Sequence, residues 1–168
     1  MRTLLRSLIL LALAVWVGGM VFFGAVLAPV VFGSVMPMVP DPALGLHVAG
    51  TMVRISLLRL HDIGLLCGIL LLVLCIVERV TGTTRRSILP QMTLLAIMLG
   101  LTAYSQYSVI PRMESLRIQA GSAMGSASFT PPRVEFDHLH HLTTALEEAV
   151  LLCGLGLIVL YARPETVS

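Results

Sequence analysis

Across 168 residues the chain is 57% hydrophobic and only 12% charged, with a mean hydropathy of +0.94. Those values lie outside the range of soluble domains of this size and exclude a water-soluble globular fold. A net charge of +2 is too small to recruit nucleic acid.

Runs of roughly twenty apolar residues are long enough to cross about 30 Å of hydrocarbon as helices. The first run covers about Leu4 to Leu27. Arg2 and Arg6 ahead of it resemble the start of a signal peptide, and Ala25-Val26-Leu27-Ala28 offers small residues for cleavage. The run is about twice the length of a signal-peptide core, so it reads as a retained helix. Ala14, Gly18, Gly24 and Ala28 supply small positions where another helix can approach, and Trp16 lies deep enough to pack.

Pro29, Pro37, Pro40 and Pro42 are expected to break up the connection that follows. Asp41-Pro42 reads as an N-cap with proline in the first helical position. The helix begun there can run to Arg79, longer than a bilayer needs. Residues 42–54 are expected to be interfacial, and Ile55 to Val77 to form the second span. A polar turn follows from Glu78 to Ser87, then a third span from about Leu89 to Ile110, ended or kinked by Pro111. Residues 112–135 form an extracytoplasmic polar excursion, and His138 to Tyr161 a fourth span. The expectation is a single all-α domain over 1–168, a multi-pass four-transmembrane-helix bundle in a bacterial inner membrane. With both termini cytoplasmic, six Arg lie inside and five outside. The tight cluster Arg79, Arg85 and Arg86 favours that orientation.

The chemistry lies towards the other end. An even-numbered bundle brings the start of span two, with His61-Asp62, beside the start of span four, with Asp137, His138, His140 and His141. The end of span three adds Gln106, Tyr107 and Arg112 at that level. His140 and Glu147 are seven residues apart and share a helix face; His141 and Glu148 form a parallel stripe that Asp137 extends. Ionisable groups within a span are costly and mark function by default. His47 and His138 read more plainly as polar end-caps, and His61-Asp62 reads equally as a structural hydrogen bond to Arg59 or to Thr143 and Thr144. Two adjacent acids, Glu147 and Glu148, are harder to account for by bracing alone. Met20, Met36, Met38, Met52 and Met113 add thioethers that suit copper(I) or simple core packing. Cys67, Cys75 and Cys153 lie in apolar runs without a C-x-x-C pair. No phosphate loop, G-x-S-x-G or H-E-x-x-H motif is present, and nothing marks an enzyme.

Trp16-Val17-Gly18-Gly19 with Phe22-Phe23 and Ala28-Pro29-Val30-Val31-Phe32 resembles the first-span signature of the bacterial domain-of-unknown-function 4149 proteins, relatives of the eukaryotic transmembrane-protein-205 group. Ala49-Gly50 before Arg54, and Gln106-Tyr107 with Val109-Ile110-Pro111-Arg112-Met113, continue the match. Phe136-Asp137-His138-Leu139-His140 with Thr143 resembles the closing F-x-x-L-H-x-x-S pattern. Thr143 stands where Ser is usual, and Glu147 stands near an expected Asn. The resemblance implies a four-span protein with His140 as the carried-over histidine. Links of the eukaryotic relatives to platinum-drug tolerance, and a broad similarity to copper-resistance D proteins, imply metal handling.

These readings lead to a membrane protein that binds and moves a transition metal such as copper. His61, His140 and His141 would be ligands, and Asp62, Glu147 and Glu148 would orient them or pass the cation inwards. The alternatives are a b-type haem held by His61 and His140, and a non-catalytic subunit whose span-four polar face docks a second copy or another membrane protein.

Overall fold

The computed structural model describes residues 2–82, 89–120 and 131–162. They form six helices: α1 (Arg2–Phe22), α2 (Ala28–Met38), α3 (Pro42–Val80), α4 (Leu89–Tyr104), α5 (Ile110–Ala120) and α6 (Pro131–Ala162). π-helical turns at Phe23–Leu27 and Ser105–Val109 join α1 to α2 and α4 to α5. The result is four long rods, Thr3–Met38, Pro42–Val80, Leu89–Gln119 and Pro131–Ala162, each apolar and long enough to cross a bilayer. The protein is an all-α, four-helix membrane bundle.

Asp41 caps α3 by accepting the Ala43 backbone N–H at 2.9 Å, with Pro42 in the first turn. Pro29 and Pro37, expected to break the first connection, instead lie inside helix. A proline removes one helical N–H and crowds the carbonyl four residues back. Ahead of Pro29 the Ala28 N–H reaches back five residues to the Phe23 carbonyl; ahead of Pro111 the Ile110 N–H does the same to Ser105. Each widened turn gives the following proline ring room, and the rod continues. The break comes at Val39, which is extended before Pro40.

The polar excursion at 112–135 is also more helical than expected. α5 carries the third rod to Ala120, and α6 starts at Pro131 rather than near His138. Residues 121–130, and the part of the Glu78–Ser87 turn at 83–88, lie outside the described residues.

α1 and α4 each pack against both α3 and α6. The rods therefore form a ring, with α3 and α6 on one diagonal and α1 and α4 on the other. Ile9, Leu13 and Trp16 from α1 meet Leu71 and Leu74 from α3, Leu95 and Met98 from α4, and Val150 and Leu157 from α6 in one apolar core. Close approach is made by Gly64 on α3, Gly154 on α6 and Gly19 on α1, rather than by the Gly18 and Gly24 expected on α1. A Cβ at Gly64 would lie 2.4 Å from the Trp16 Nε1, and one at Gly154 would lie 2.5 Å from Val17. Around Gly18 and Gly24 nothing stands within 4 Å.

Trp16 is 1% exposed and has no room to retreat. Gly64→Ala is expected to destabilise the bundle by about 1–3 kcal/mol through overpacking. Gly18→Ala should leave stability unchanged or slightly raised, since the alanine meets no neighbour and favours helix. Denaturant unfolding of the two variants in detergent micelles measures the contrast.

Candidate functional site within the membrane

From Ala149 to Ala162 α6 is apolar, but those residues rise only about 21 Å as a helix. Crossing about 30 Å of hydrocarbon therefore takes the span through Glu148, Glu147, Thr144 and Thr143. Two carboxyl groups lie inside the bilayer, and the bundle treats them differently.

Glu147 turns inwards. Its Oε1 lies 2.7 Å from the Nε2 of His61, across the α3–α6 diagonal. With the carboxylate ionised, the imidazole N–H donates. Ser105, from the π turn after α4, donates its hydroxyl to the same oxygen at 3.3 Å. His61 is 2% exposed, and its second ring nitrogen, Nδ1, is buried with no hydrogen-bond partner among the described residues. The same holds for the Thr102 hydroxyl, one turn before Ser105.

The π turn carries two polar residues into the interior. Here Ser105 and Gln106 are both buried, and Gln106 Nε2 donates to Asp62 Oδ1 at 2.7 Å. Arg59 flanks the other Asp62 oxygen at 3.6 Å. Towards the end that carries the α2–α3 connection, Glu114 of α5 pairs with Arg54 at 3.3 Å and with Arg117 at 2.8 Å. Arg117 also donates to Thr51 Oγ1 at 2.7 Å. Polar groups thus step from the rim (Arg54, Glu114, Arg117) through Asp62 and Gln106 to His61 and Glu147.

The other expected site residues lie elsewhere. Asp137, His141, Thr144 and Glu148 are exposed and follow one stripe of α6, continued by exposed Leu152, Leu155 and Val159. A polar stripe at that depth needs cover from protein or water. His140 is exposed too, its ring parallel to that of Phe136. Tyr107 is exposed, and Arg112 pairs with Glu135. The expected convergence of His61 with His140, His141, Asp62, Glu147 and Glu148 on one cation is not assembled. Among the described residues no group of three or more His, Cys, Asp or Glu is placed to hold a metal ion. Met38 and Met52 are exposed, Met20 is in the core, and the Met113 sulfur lies 3.4 Å from the Thr143 hydroxyl, which donates to the Leu139 carbonyl at 3.0 Å.

Replacing either His61 or Glu147 by Leu strands the other polar partner and is expected to cost about 2–3 kcal/mol. That is below the full cost of breaking a buried pair because Glu147 is partly exposed. The double replacement should recover most of the loss. Denaturant titration of the three variants tests this, and strictly additive losses would contradict direct pairing.

No curated protein and no solved structure matches the chain. A family model described as Domain of unknown function (DUF4149) matches residues 11–122, a segment that contains His61, Asp62, Ser105 and Gln106 and stops before α6. That match spans most of the chain, which therefore belongs to the DUF4149 family.

Proposed function

We propose that this chain is a multi-pass protein of the bacterial inner membrane that takes up and releases protons at the His61–Glu147 pair, as one step in moving a solute or charge across the bilayer. The observation behind this reading is a buried imidazole held by an intramembrane carboxylate at 2.7 Å, with its other nitrogen unpartnered. Ionisable pairs inside a bundle are the usual material of intramembrane proton relays.

The chemistry follows from the two ring nitrogens. With Nε2–H donating to Glu147, the Nδ1 lone pair is the site of proton uptake. The imidazolium formed there is neutralised by the carboxylate it already touches, much as a buried acid supports a catalytic histidine. Ser105 keeps the carboxylate oxygen oriented. Asp62, Gln106 and the Arg54–Glu114–Arg117 rim supply polar steps towards the end that we place on the extracytoplasmic side.

A transition metal such as copper fits these residues less well. Among the described residues no three His, Cys, Asp or Glu side chains come together to hold the cation. Haem b held between His61 and His140 fits less well again, because the His61 Nε2 is occupied by Glu147 and His140 is exposed.

Proteoliposomes with a trapped pH dye and an imposed pH gradient test the reading. Wild type is expected to dissipate the gradient, and His61→Ala and Glu147→Gln to slow it by about a hundredfold. His141→Ala, outside the pair, should leave the rate unchanged. A wild-type rate equal to that of empty vesicles would overturn the proposal.

A further inference from the structure

Three buried polar atoms around the His61–Glu147 pair have no hydrogen-bond partner among the described residues: His61 Nδ1, Thr102 Oγ1 and Gln106 Oε1. The residues are 2%, 1% and 9% exposed, so bulk solvent does not satisfy these atoms. All three belong to one level of the bundle. His61 and Ser105 meet on the same Glu147 oxygen. Gln106, next to Ser105, donates to Asp62, next to His61. Thr102 lies one turn before Ser105 and Gln106 on the third rod.

Thr102 differs from other threonines of this chain. A helical threonine commonly returns its hydroxyl to the carbonyl four residues back. Thr51, Thr143 and Thr144 do so, onto His47, Leu139 and His140. The Thr102 hydroxyl does not take the Met98 carbonyl, although it is enclosed. Packing alone would be better served by valine, which has the same shape and no hydroxyl to desolvate.

The unmatched set has a definite composition. With the His61 Nε2–H given to Glu147, Nδ1 can only accept. With the Gln106 amide nitrogen given to Asp62, Oε1 can only accept, whereas Thr102 can both donate and accept. Two acceptors and one hydroxyl donor are the complement of a water molecule, which donates twice and accepts once. Buried waters typically make about three such bonds.

We propose that His61 Nδ1, Thr102 Oγ1 and Gln106 Oε1 hold an ordered water between α3 and the third rod, and that this water delivers the proton to His61. The inference rests on the reading of His61–Glu147 as a proton site and names the donor to it. A proton arriving from the Asp62–Gln106 side makes the water a hydronium ion with three O–H groups. Thr102 then accepts the third, its own O–H turning back to the Met98 carbonyl. Breaking the O–H bond to Nδ1 as the Nδ1–H bond forms leaves an imidazolium and a neutral water, which accepts from that new N–H. Thr102 is the positioning residue in this sequence because it alone of the three can reverse its role.

Two measurements test the site. Water-edited nitrogen-15 NMR in lipid bilayers is expected to show magnetisation passing from water to His61 Nδ1 in wild type, and much less in Thr102→Val. In the proteoliposome assay Thr102→Val should slow proton flux by about tenfold, the effect of losing one hydrogen bond. Thr102→Ser keeps the hydroxyl and should retain most of the rate. Flux in Thr102→Val equal to wild type, or a wild-type Nδ1 that receives nothing from water, would overturn the water site while leaving the His61–Glu147 reading intact. If Thr102→Val does not fold, the wild-type spectrum decides. Absence of flux in wild type would overturn the reading of the pair and, with it, the role given to the water.

Discussion

Hydrocarbon offers no hydrogen bonds, so an imidazole and a carboxylate within a span must find each other or leave the membrane interior. The 2.7 Å contact between His61 and Glu147 meets that requirement across the α3–α6 diagonal of the ring. Much of the architecture serves the contact. Gly64, one turn from His61, lets the Trp16 indole lie directly beneath it. The π turn before Pro111 holds Ser105 and Gln106, both buried. Threonines 143 and 144 return their hydroxyls to the Leu139 and His140 carbonyls, so α6 carries polar residues at this depth without leaving them all to find partners.

The bundle is layered along its axis. A charged rim at Arg54, Glu114 and Arg117 gives way to the Asp62–Gln106 bond, then to His61, Glu147 and Ser105, then to a dry layer around Trp16 and Met98, and finally to Cys75 and Tyr161. A uniformly apolar interior would pack as well and would be simpler to insert. The π turns fall in the first and third rods near the polar end, where irregular helix commonly accompanies function.

The four spans were legible because composition and run length decide them. His61 and Glu147 were legible as candidates because ionisable residues stand out in so apolar a chain. Their partnership was not, since helical spacing puts His140 on nearly the same face as Glu147 and gives no reason to separate them. A difference of about 20° between them on the helix, together with the diagonal placement of α3, turns Glu147 in and leaves His140 exposed. Ser105 escaped notice because a serine in an apolar span reads as a small packing residue. The Cys75–Tyr161 contact was hidden because cysteine and tyrosine pass as ordinary apolar filling. Pro29 and Pro37 misled in the opposite sense, as breakers that a widened turn or a tolerant short helix absorbs.

Nitrogen-15 NMR of histidine-labelled protein in lipid bilayers tests the central contact most directly. The account predicts one histidine, absent in His61→Ala, whose Nε2–H is shifted by a carboxylate acceptor and returns towards an ordinary value in Glu147→Gln. A His61 resonance indifferent to Glu147→Gln, or one carrying its proton on Nδ1 with Nε2 open to lipid or water, would contradict it.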